Sequence, residues 1–193
     1  MKKLATFLLL ILTSYASQAQ FIKEKAINAQ VGYAICFPYN SISEVASGGF
    51  FVQGELVLKA ASWVDFRPYA GFAYTNSNGR DINNNPTYER AETTSFMLGG
   101  KARLRAPIPY VAPYIELGLG ASFGKFDTFT YFDVIEKKGV LYHVPFSLGL
   151  ELGKNHNVDL GVTYFFHPDA QQFTGALAVG LTFPLDGTTK NQQ

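Results

Sequence analysis

His143, Ser147 and Glu151 carry the residue types of a hydrolytic triad: a base, a nucleophile and an orienting carboxylate. Their spacing of four decides against that chemistry. On a strand such neighbours lie ~13 Å apart, far beyond hydrogen-bond reach. His143 therefore reads as a hydrogen-bonding interior residue, while His156 in a turn and His167 at a strand end are too isolated to suggest a site. Metal-ligand clusters, phosphate-cradling loops and nucleophile elbows are absent from the sequence. Cys36 is the single cysteine, which excludes a disulfide framework and suits a small interior filler better than a reactive thiol. The expectation is a protein without catalysis, cofactor or metal.

The charged residues are patterned more tightly. Lys59, Arg67, Lys101, Arg103 and Arg105 share one side of their segments, as do Glu55, Asp65, Glu116, Glu151 and Asp159. Charges gathered on one face of strands survive indoors only when paired and hydrogen-bonded. Hairpin register is expected to set Lys59 opposite Asp65, Glu55 diagonal to Arg67, and Lys101 close to Glu116. Glu151 and Asp159 fall opposite each other with like charge, so a cation must reach them from another strand, with Arg103 or Arg105 as candidates. Such a network is either a structural plug that fills a closed barrel or a charged constriction in a narrow channel, and eight strands leave little room for the channel.

Eight segments must position these groups. The first, Ile27 to Phe37, alternates Ile27, Val31, Tyr33, Ile35 and Phe37 against Asn28, Gln30, Gly32, Ala34 and Cys36. Seven more follow with the same period of two, and no charged residue falls on the apolar side of any of them. The expected fold is all-β: an eight-stranded antiparallel up-and-down barrel. Connections around Ala61, Pro107 and Asn155 are short, and those around Ser43, Asn84 and Thr130 longer, which is the asymmetry of transmembrane barrels. Strands of about nine to twelve residues are long enough to cross a bilayer when tilted.

A soluble lipocalin-like barrel has the same strand number with its faces reversed. Residue size decides between them. The polar face holds Gly32, Gly71, Gly99, Gly118, Gly120, Gly149, Gly161 and Gly180, as a cramped interior requires, so the bulky apolar face is the outer one and needs lipid. Phe37, Phe50, Tyr74, Phe96, Phe123, Tyr142, Phe166 and Phe173 are expected as an aromatic girdle at the loop ends, with Phe66, Phe183 and Trp63 marking the turn ends.

The 193 residues make one domain, with 47% hydrophobic, 15% aromatic and 16% charged residues. Lys2 and Lys3, the apolar run Phe7 to Leu12, and Ser17 and Ala19 form a secretory signal peptide over residues 1–19, too short to span a membrane. The barrel is expected over residues 20–184, followed by a short periplasmic tail over 185–193. Without its leader the chain is close to neutral, which gives no support for nucleic-acid binding. Two loops stand apart. Asn76 to Arg90 is polar, whereas Phe126 to Ile135 is too apolar for a plain loop, and Phe126, Phe129, Tyr131 and Phe132 are candidates for surface contact if the hairpin does not simply pack on itself.

The last segment, with Phe173, Leu177, Val179, Leu181 and Phe183, matches the aromatic-ended alternation by which the barrel-assembly machinery recognises its substrates. On this feature and the eight segments, the chain resembles the outer-membrane β-barrel domain family of small OmpA-like and OmpX-like proteins over Phe21 to Phe183. The resemblance implies a monomer in the bacterial outer membrane, in contact with outer-membrane lipid and lipopolysaccharide, with both termini periplasmic. It implies a structural, envelope-integrity or surface-contact role, with a narrow porin-like channel as the alternative and a lipid-modifying enzyme as the least favoured reading.

Overall fold

The computed structural model describes residues 22–39, 47–80, 83, 85–131 and 134–185. The signal peptide, Phe132 and the tail beyond Leu185 lie outside the described residues. Eight strands run β1 Glu24–Pro38, β2 Ser47–Lys59, β3 Val64–Asn76, β4 Arg90–Arg105, β5 Val111–Phe129, β6 Val134–Leu152, β7 Val158–His167 and β8 Gln172–Pro184. Each pairs antiparallel with its sequence neighbour, and β8 closes on β1.

Register fixes the shape. Glu24, Lys59, Asp65, Arg103, Glu116, Ser147, Thr163 and Ala176 are successive ladder partners, and Ala176 pairs back onto β1 at Ala34, ten residues beyond the start. A stagger of ten over eight strands tilts the strands into the ~35–45° range and leaves an interior just wide enough for side chains.

The alternation sorts the two faces as expected. Val31, Tyr33, Phe96, Leu117, Leu119, Tyr142 and Leu177 lie outward and exposed, whereas Asn28, Arg67, Arg103, Glu116 and His143 are buried inside. Interior crowding explains the small residues. A side chain at Gly32 would run into the backbone of Leu177 and Ala178, and one at Gly120 into Tyr69 and His143.

The elements depart from expectation in two places. β5 and β6 are each 19 residues, well beyond the expected nine to twelve, because their pairing continues through Phe129↔Val134 and turns most of the apolar loop into strand. Prolines also interrupt two ladders. β2–β3 pairing breaks between Glu55↔Tyr69 and Leu58↔Phe66, at Pro68, and β5–β6 pairing breaks between Leu117↔Phe146 and Gly120↔His143, at Pro145. A closed barrel has no edge on which to place a residue without an N–H, so each proline costs a ladder bond within the wall.

Candidate functional site

The lumen is stratified. Toward the end with the short turns lies the ion network. Arg67 donates to Glu55 at 2.9 Å, to Asp65 at 2.7 Å and to Glu151 at 3.0 Å. Lys101 bridges Glu55 at 2.5 Å and Glu116 at 2.8 Å. Arg103 lies between three strands, donating to Glu116 at 2.6 Å, Glu151 at 2.8 Å and Asp159 at 2.7 Å, while its guanidinium carbon sits 3.5 Å above the centre of the Tyr114 ring. Arg105 closes the layer through Glu151 at 2.7 Å and the Ser62 carbonyl at 2.9 Å.

Glu151 and Asp159 are cross-strand partners, and Arg103 Nη1 is the shared donor that makes their proximity tolerable. Lys59 is a correction. Its backbone does pair with Asp65, but its ammonium turns out to the rim and binds Glu24 at 2.7 Å, beside a vestibule lined by Lys23, Arg105 and His156. The rim is open to solvent, and a long flexible cation avoids desolvation there. The enclosed network therefore sets Arg67, Lys101, Arg103 and Arg105 against Glu55, Asp65, Glu116, Glu151 and Asp159.

Above the ions lies an apolar septum that sequence reading left out. Phe51, Met97 and Phe165 point inward, fully buried, and meet Ala34, Ala73 and Ala176. The Phe51 and Phe165 rings are 5.8 Å apart, and Phe165 lies 5.4 Å from His143 in an edge-on contact. The signal was present, since Phe51 shares parity with Gln53, Met97 with Ser95, and Phe165 with Thr163.

A polar file crosses the septum along the wall. The Tyr69 hydroxyl is hydrogen-bonded to His143 Nε2, His143 Nδ1 lies 2.7 Å from Ser122 Oγ, and the same oxygen lies 2.9 Å from His167 Nε2. His167, isolated in sequence, is thus a neighbour of His143 through a serine on a third strand. Ser147 bonds Thr163 instead, and Glu151 belongs to the ion layer, so the sequence triad is dispersed. Ser122 between two histidines resembles an activated hydroxyl, but all three side chains are sealed from solvent and lipid. Among the described residues no cluster of metal-ligating side chains forms. Cys36 is enclosed beside Thr93 and Thr174, and burial leaves it inaccessible as a thiol.

The surface-contact candidates separate. Phe126 is a correction: it is completely buried, 4.9 Å from the His167 ring, and packs with Leu141 and Ala170. Even-numbered residues of β5 face inward, and a fully apolar side chain there roofs the lumen. Phe129 is half-buried beneath the Arg90 guanidinium at 4.0 Å, and only Tyr131 of the described candidates is freely exposed. The β4–β5–β6 extension carries rungs of alternating sign. Lys125 pairs with Lys138 in register, and Glu92, Asp127 and Glu136 form the next rung. Lys125 also reaches up to Asp127 by an ion pair.

No protein-family model and no curated protein sequence matches this chain. Solved structures do. The crystal structure of Neisserial surface protein A is similar at 13% identity, with 82% of this chain and 96% of that chain covered and a TM-score of 0.53. The N-terminal β-barrel domain of Pseudomonas aeruginosa OprF covers 81% of this chain and 97% of its own, at 10% identity and a TM-score of 0.45. Ail of Yersinia pestis, solved with the heparin analogue sucrose octasulfate, covers 83% and 98%, at 14% identity and a TM-score of 0.46. The chain has the fold of the eight-stranded antiparallel outer-membrane β-barrels.

Proposed function

We propose that this chain is an integral protein of the bacterial outer membrane that acts as a closed, non-catalytic wall element, supporting the envelope and offering its extended β5–β6 hairpin for surface contact. The exterior supports the location. Large aliphatic and aromatic side chains on all eight strands face outward, and such a band is stable against hydrocarbon and not against water. With an even strand count, both termini lie on the side of the short turns, the periplasmic side in such barrels.

The single observation that carries the closed reading is the septum of Phe51, Met97 and Phe165 lying over the paired ions. An ion travelling along the axis would have to shed its water against aromatic carbon and then break into a network of buried charge-assisted bonds. This weighs against a channel. The enzyme reading is weakened as well, because Ser122, which lies between two histidines, is enclosed away from any lipid substrate. Conductance in planar lipid bilayers tests the proposal. The native barrel is expected to be silent. Reproducible channel steps from the native protein would refute it.

A further inference from the structure

An open groove of about 680 Å³ runs across the outward face of β3, β4 and β5 to β6. Its walls are Phe66, Leu117, Leu119 and Val144, and its floor is Pro68 and Gly100. The floor consists of the two residue types that strands disfavour most. Packing on this face does not require the glycine. A side chain at Gly100 would meet nothing within 4 Å, so the glycine leaves open a space that almost any other residue would fill. Pro68 is partnered by Gly100 across the ladder, which puts the two in one continuous depression. The groove also lies between the two proline breaks in the ladders, one at Pro68 and one at Pro145.

We infer that this groove is a binding site for one acyl chain of a phospholipid, retained by the barrel and distinct from freely exchanging boundary lipid. The inference rests on the membrane location proposed above. Lipid hydrocarbon is the medium that faces this wall, and the groove offers a slender occupant three apolar sides at once, more buried area than a flat barrel wall provides. Phe66 lies two residues from the turn-end start of β3 at Val64, so the groove opens toward the leaflet on the short-turn side. That leaflet holds phospholipid, which selects this source over lipopolysaccharide.

Native mass spectrometry of the detergent-extracted full chain tests this. The native protein is expected to carry one phospholipid mass. Gly100→Phe fills the groove and is expected to reduce that adduct at least about tenfold, corresponding to ~1.4 kcal/mol of binding. Gly54→Phe is the control: Gly54 also faces outward with nothing within 4 Å of an added Cβ, but lies outside the groove, and its adduct is expected to persist. Both variants must keep the heat-dependent gel mobility of a folded barrel, which separates filling the site from misfolding. Absence of a retained lipid, a lipopolysaccharide or detergent mass in its place, or equal retention by both variants overturns the inference. Recovery of the chain in soluble form without detergent overturns the membrane location itself, a separately readable failure.

Discussion

Replacing Arg103 with methionine removes the donor that joins three strands of the ion layer. Four enclosed cations face five enclosed carboxylates in the native barrel, so the variant leaves three against five. The damage is unevenly spread. Glu116 keeps Lys101 at 2.8 Å, and Glu151 keeps Arg105 at 2.7 Å and Arg67 at 3.0 Å. Among the described residues Asp159 keeps the Asn28 amide at 2.9 Å and Arg67 at 3.9 Å, opposite the like charge of Glu151. Removing one partner of a buried ion pair costs ~3–5 kcal/mol when the other is left uncompensated, and the surviving partners place this case near ~3 kcal/mol. Urea unfolding of the barrel in lipid vesicles, followed by gel mobility and Trp63 fluorescence, measures the loss. Adding Asp159→Asn removes the stranded charge and is expected to recover ~1 kcal/mol or more. A loss below ~1 kcal/mol for Arg103→Met, or further destabilisation on adding Asp159→Asn, would refute the account of Arg103 as the shared donor.

Two further perturbations probe the faces of the wall. Gly32→Val is expected to cost about 2–3 kcal/mol or block refolding, because the new side chain meets rigid backbone at Leu177 and Ala178, whereas Gly54→Val, pointing into open space, is expected to refold with native yield. Refolding efficiency in detergent distinguishes them, and equal behaviour would contradict the assigned faces. Leu119→Lys sets a cation in the middle of the exposed apolar band and is expected to cost about 2–4 kcal/mol in a bilayer, whereas Tyr131→Lys on the hairpin tip is expected to be neutral. A harmless Leu119→Lys would mean that this face does not meet hydrocarbon.

The order of strands, their number and the face each residue takes were legible from the chain alone. Side chains alternate across a strand by covalent geometry, so Val31 and Gln30 are sorted without reference to any partner. The same local rule assigned Arg67, Arg103 and Glu116 to the interior. It also contained the septum, since Phe51 and Phe165 share the parity of the buried Gln53 and Thr163.

What lay beyond the sequence depends on register and on the ten-residue stagger, which are properties of all eight strands together. Stagger sets which rungs share a height. It brings His143, Ser122 and His167 together from three strands, gives Asp159 to Arg103, and carries β5 and β6 past the barrel so that Phe126 becomes a roof. Lys59 illustrates the same division. Its face was set by parity, but whether its ammonium met Asp65 inside or Glu24 at the rim depended on how near the open end that rung fell. Only closure of the barrel fixes that distance, because desolvation is avoided at the mouth and imposed a few residues deeper.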